Sequence, residues 1–88
     1  MVPISYIIFE SLDGIEFPII FTQNISHDDM ARRMLPHKVI SAGKIGKCDR
    51  NEEYHYGIFC HGKSVTLGIE SRGYKDTKLI QSWFNMDC

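Results

Sequence analysis

The chain has 88 residues, 43% of them hydrophobic and 24% charged, with a formal net charge of −1, so it makes a single domain spanning 1–88 whose core buries about two-thirds of the unfolded chain's surface. The near-zero balance, with basic residues scattered as Arg32 and Arg33, Lys44 and Lys47, and Lys75 and Lys78, weighs against a nucleic-acid partner, which normally meets a clear excess of Lys and Arg. No apolar run approaches a bilayer-crossing length, and Met1–Phe9 lacks the basic start and cleavage region of a signal peptide, so the sequence predicts a soluble, cytoplasmic protein without a membrane partner.

Tyr6-Ile7-Ile8-Phe9 is β-branched and aromatic, Leu12-Asp13-Gly14 supplies turn chemistry, and Phe17-Pro18-Ile19-Ile20-Phe21 reads as the returning strand. Both strands are apolar on both faces and need covering on two sides. Pro18 cannot donate to a strand ladder, which pushes its strand to a sheet edge. An apolar edge strand invites pairing unless it is covered, and a second copy is the expected cover. This gives a homodimer with Phe17, Ile19 and Phe21 at the interface.

Ser26-His27-Asp28-Asp29 is a helix start, with Ser26 as cap, Asp29 in the place of a capping-box acid, and two carboxylates at the positive end of the dipole. Met30, Ala31, Met34 and Leu35 form its apolar stripe, and Leu35-Pro36 ends it. Val39 to Gly46 is a third strand thinned by glycine, Asp49 to Glu52 a solvated turn, and Tyr54–His61 with Lys63–Glu70 a hairpin around Gly62. Tyr74–Asn85 is a second helix packing through Leu79, Ile80, Trp83 and Phe84. The predicted class is α+β, in the order β-β-α-β-β-β-α: an antiparallel sheet of about five strands with two helices on its apolar faces.

Residues Gly57–Ser64, Gly-Ile-Phe-Cys-His-Gly-Lys-Ser, spell the G-x-x-x-x-G-K-[ST] phosphate-loop pattern. A working loop needs small residues between its glycines and a helix opening at the Lys-Ser. Here Ile58, Phe59 and Cys60 suit a packed strand, and Ser64 to Ile69 alternates like another strand. The match therefore reads as a hairpin, and a nucleotide-triphosphatase ranks third among the functions considered. Cys48, His55, Cys60 and His61 lack the tight pairs of a zinc site, and adjacent Cys60 and His61 on a strand point to opposite faces. No metal and no cofactor is expected. Three cysteines without repeated spacing read as reduced thiols, with Cys60 buried. Asp28 and Asp29 are explained by the helix start, and Glu10, Asp13 and Glu16 by solvation of a turn, so no catalytic set emerges.

A group of small polar residues is more suggestive. Ser41 and Gly43 share one face of the third strand, and Ser64, Thr66 and Gly68 one face of the fifth, leaving a shallow surface that a backbone, a helix or a flat ligand approaches closely. Ser71-Arg72-Gly73 stands just ahead of the second helix, where free N–H groups and a guanidinium favour an anion. With Lys44, these give a candidate anion-binding set of Ser41, Lys44, Ser64, Thr66, Ser71 and Arg72. The competing reading has Ser71 capping the helix, Arg72 solvated, and the glycines easing sheet twist.

The segment Val39-Ile40-Ser41-Ala42-Gly43, followed by Gly62-Lys63-Ser64-Val65-Thr66-Leu67-Gly68-Ile69-Glu70-Ser71-Arg72 and a closing helix, resembles a group of short uncharacterised phage and prophage accessory proteins. In that group a Ser-Ala-Gly strand precedes a Gly-x-Ser-x-x-Leu-Gly-x-x-Ser-Arg hairpin, and the opening apolar hairpin and the Ser26 helix start look similar too. This chain departs from the pattern in having Lys44 in place of an aromatic and Gly73 in place of a proline. The resemblance implies a viral accessory protein acting by stoichiometric binding to a host component. The leading expectation is accordingly a non-enzymatic inhibitor of a host protein, of host-defence antagonist type. The alternative is a protein that sequesters a small anionic ligand such as a signalling nucleotide.

Overall fold

The computed structural model describes residues 4–48 and 57–84. Strands β1 (Ile4–Glu10) and β2 (Glu16–Thr22) form a hairpin, helix α1 (His27–Arg33) follows, and β3 (Lys38–Cys48) returns antiparallel along β1. β4 (Gly57–His61) pairs with β3. Next, β5 (Lys63–Ser64) and β6 (Ile69–Glu70) pair with each other, and α2 (Tyr74–Trp83) comes last. The main sheet has the order β2-β1-β3-β4. The α+β class is as expected, but the sheet of about five strands is four strands plus a separate two-stranded ribbon.

The difference lies in the strand expected over Lys63–Glu70, which is broken by a turn. The Ser64 carbonyl accepts the Gly68 N–H at 2.8 Å, the Ser64 hydroxyl accepts the Leu67 N–H at 3.2 Å, and Gly68 takes the left-handed φ of 68° that closes the loop. Val65, expected to share a strand face with Leu67 and Ile69, is exposed at this turn, while Leu67 and Ile69 pack inward.

As the hydrogen-bonded neighbour of both β2 and β3, β1 buries Tyr6, Ile7, Ile8 and Phe9 completely, each full burial contributing about 1.5–3 kcal/mol. Alternation splits them. Tyr6 and Ile8 pack with Cys60 and with Ile80 of α2, whereas Ile7 and Phe9 pack with Phe21 and Ala42 beneath Met30, Ala31 and Met34 around α1 and beneath Leu67 and Ile69. A register shift between Ile8 and Phe9 leaves Ile40 without a partner in β1, and Ile40 packs on the α2 side of the sheet.

β2 is an edge strand, as Pro18 requires. Its odd-numbered residues point to the α1 face, where Phe17 and Ile19 pack against the cluster that contains buried Phe21. The Phe9 and Phe17 rings stack at 5.8 Å. Phe17, Ile19 and Phe21, expected at an interface with a second copy, thus pack within the chain in the cluster that Met30, Ala31 and Met34 also join. Ser26 caps α1 by accepting the Asp29 N–H at 3.3 Å, but the Asp29 carboxylate pairs with Arg32 rather than closing a capping box. Among the described residues no helix is long and apolar enough to cross a membrane.

Candidate functional site

The six residues expected to bind an anion do not converge. Ser41, Ser71 and Arg72 belong to a polar network under α2, Ser64 is buried in the ribbon turn, and Lys44 and Thr66 line a cleft on the opposite face of the sheet.

The network centres on Asp76, in the first turn of α2 and 0% exposed. Its Oδ2 lies 2.6 Å from Tyr6 Oη and 2.9 Å from the Arg72 backbone nitrogen, and its Oδ1 lies 2.7 Å from Arg72 Nε. A carboxylate only accepts, so Tyr6 spends its one proton on Asp76. Ser71 Oγ, 2.6 Å from Tyr6 Oη, then donates to the phenol while accepting the Gly73 N–H at 2.9 Å. The far side of the Arg72 guanidinium forks onto Glu16 of β2 at 2.8 and 3.3 Å. Thr77 adds a second chain, accepting the Cys60 N–H at 2.9 Å and donating to the Gly73 carbonyl at 3.1 Å.

Charge follows this geometry. Burial alone would raise the Asp76 pKa, but hydrogen bonds from Tyr6, the Arg72 backbone, nearby Ser41 and the Arg72 side chain outweigh it and hold the carboxyl below its ordinary value. The Ser41 hydroxyl makes no bond of full hydrogen-bond geometry, yet stands close enough to favour that charge. Burial, reinforced by the bond to Asp76, drives the Tyr6 phenol far above its ordinary value, and burial pushes the Cys60 thiol up. The Glu16 carboxyl is lowered by its bond to Arg72, and the guanidinium is raised by the same bond. Arg72 is neither solvated nor open to a ligand: two carboxylates hold it, and its side chain is 22% exposed.

The cleft on the α1 face is an open cavity of about 280 Å³. Ser5 and Lys44 face each other across β1 and β3, His27 closes one side, and Lys63 and Thr66 of the ribbon close the other. The His27 ring is fixed by donating from Nε2 to the Gly43 carbonyl at 3.1 Å and by standing edge-on to Phe21 at 5.5 Å. Among the described residues no carboxylate lines the cavity, and neither Lys44 nor Lys63 has an ion-pair partner.

Gly43, expected to permit a close approach, does so to the chain's own backbone. A Cβ there would stand 2.4 Å from the His61 carbonyl oxygen and 3.1 Å from Ser71 Cβ. The phosphate-loop match at Gly57–Ser64 runs through β4, the left-handed Gly62 (φ 81°) and β5, so no helix opens at Lys63-Ser64. Its lysine nonetheless reaches the cleft. Cys60 is buried towards α2 while His61 is exposed, and His55 of the ligand group considered for zinc lies outside the described residues. Neither Ser5, His27, Tyr6 nor Asp76 stood out in the sequence, and Glu16 read as solvation. No family model, curated protein or solved structure matches this chain.

Proposed function

We propose that this chain is a non-enzymatic binding protein that holds a small anion of phosphate type in the cleft between β1, β3, the start of α1 and the β5–β6 ribbon. The reading rests on the lining: two lysines, Lys44 and Lys63, beside Ser5, Thr66 and His27, with no carboxylate among the described residues that line it. Lysine binds phosphate as a point charge, and hydroxyls complete the oxygen's hydrogen bonds. A net charge of −1 over the whole chain favours a discrete anion over a polyanion. The anion-binding set thereby narrows to Lys44 and Thr66, joined by Ser5 and Lys63, while His27, its Nε2–H held by the Gly43 carbonyl, forms part of the wall.

Calorimetric titration with inorganic phosphate and pyrophosphate tests this. The Lys44→Ala/Lys63→Ala double variant is expected to lose binding while keeping its melting temperature, because neither side chain belongs to a core cluster. Wild-type affinity in the double variant overturns the proposal.

A second reading, stoichiometric binding to a host protein by a phage-derived chain, draws on another surface. Trp83 Nε1 donates to the Glu16 carbonyl at 3.2 Å, which brings the end of α2 beside Ile15, and Ile15, Trp83 and Phe84 are all exposed. Exposed aromatic groups of this kind serve as anchors in protein interfaces. A homodimer through the free edge of β2 belongs to this reading, and a concentration-independent monomer by light scattering removes it.

A further inference from the structure

We infer that the anion in the cleft is the phosphate of a nucleotide, and that Phe59 and His61 are the platform on which its base lies. The inference rests on the anion-cleft reading and extends that site sideways onto β4.

Register puts the two parts together. Lys44 pairs with His61 and Gly46 with Phe59 across β3 and β4. Directly opposed residues of an antiparallel pair share a face, so both rings stand on the Lys44 side of the sheet. They lie against each other with centroids 5.1 Å apart and planes inclined by 31°. Lys63 follows His61 by two residues, with the bend at Gly62 between them, and lines the cleft from the other side. The aromatic pair does not itself line the cavity but adjoins it through Lys44, the lining residue directly opposite His61.

Nothing in the core accounts for this pair. The core-facing residues of β4 are Ile58 and Cys60, and Phe59 belongs to neither apolar cluster and is 45% exposed. Its ring is laid down on the sheet: a Cβ at Gly46 would stand 2.5 Å from Phe59 Cζ, so only a glycine leaves it that place. An exposed phenylalanine held over bare backbone, with an imidazole tilted against it, has the form of a base-stacking surface.

With the phosphate between the two lysines, the rest of the ligand lies along the neighbouring strand, over the Lys44–His61 pair with Phe59 beyond.

The test titrates the full chain with AMP and, separately, with inorganic phosphate. AMP is expected to bind more tightly than phosphate by roughly 5- to 150-fold, the size of one stacked base. Phe59→Ala should remove that advantage and leave phosphate affinity unchanged. Phe59→Leu, which keeps the bulk and loses the π-face, should behave like Phe59→Ala, and circular dichroism checks that both variants fold. The H2 and H8 protons of bound AMP should shift upfield in the wild type and not in Phe59→Ala. Equal affinity of the wild type for AMP and phosphate, or equal weakening of both by Phe59→Ala, overturns the platform and leaves the anion cleft standing. Failure of the wild type to bind either probe overturns both.

Discussion

Tyr6 Oη donates to Asp76 Oδ2 at 2.6 Å and joins β1 to α2 across 70 residues of sequence. The acceptor is a buried charge whose balance comes from Arg72, which in turn is forked onto Glu16 of β2. One set of hydrogen bonds therefore holds two strands and the last helix together, and its members have a structural duty that separates them from the cleft.

Removing the cation exposes that duty. Arg72→Ala deletes the charged partner of buried Asp76 and leaves it the Tyr6 hydroxyl and a backbone N–H, a loss of up to about 3–5 kcal/mol when one partner of a buried pair is deleted. In a domain of this size each kcal/mol lowers Tm by roughly 4–8 °C. Thermal denaturation should show that loss, with phosphate affinity retained at temperatures where the variant is folded. An unchanged Tm with lost phosphate binding would return Arg72 to the ligand set.

The acid limb of the stability profile follows from the depressed carboxyls. Asp76 and Glu16 titrate below their ordinary 3.8 and 4.5, so their contribution is complete above those values and is lost as pH falls through the lower folded-state values. Tm should hold steady near neutrality and drop on acidification below about pH 4.5. Asp76→Asn should start from lower stability and show a flatter acid limb. A wild-type profile that is level down to pH 2 would contradict this.

Tyr6 gives the opposite limb. Its phenol ionises well above the ordinary 10.0 in the folded chain, so its contribution is complete below pH 10 and is lost as pH rises beyond it. Phenolate absorbance should show one of the four tyrosines ionising only as the protein unfolds, and Tyr6→Phe should abolish that late step. Ionisation of all four below the unfolding transition would count against it.

Two glycines in β3 should respond differently to the same substitution. A methyl group at Gly43 meets the backbone oxygen of His61, which moves only if the β3–β4 pairing parts, whereas one at Gly46 meets the Phe59 ring, which swings aside. Gly43→Ala should cost more than about 2 kcal/mol and Gly46→Ala less than about 1 kcal/mol in chemical denaturation. Similar losses for the two would show that the contact at Gly43 relaxes easily.

Much of the scaffold was legible because its signals are local. The run Tyr6–Phe9, the proline at position 18, the Ser26 cap and the stripe Met30, Ala31, Met34 each state their role within a few residues. Alternation misled at Lys63–Glu70, since an apolar-polar rhythm reads alike in a long strand and in a ribbon folded on a Ser64–Gly68 turn. The stripe of α1 and the apolar face of β2 were both visible, yet sequence alone does not say that both join one cluster. Asp76 drew no notice in the sequence because its partner Tyr6 is remote in the chain. Trp83 and Phe84 fit a packing face by spacing, but the buried positions of α2 are Asp76, Thr77 and Ile80. The cleft was half legible: Lys44 and Thr66 were in the candidate set, while Lys63 stood only in a phosphate-loop match set aside as a hairpin.

The place of β1 between β2 and β3 also sets an order of assembly. Its hairpin partner β2 is made at once, but β3 comes more than twenty residues later and Ile80, which seals the Tyr6 side, later still. A chain emerging from the ribosome thus carries a strand greasy on both faces until the residues up to Ile80 have followed it. Its collapse waits on distant contacts, which slows folding and leaves it open to aggregation or to chaperone capture until α2 emerges.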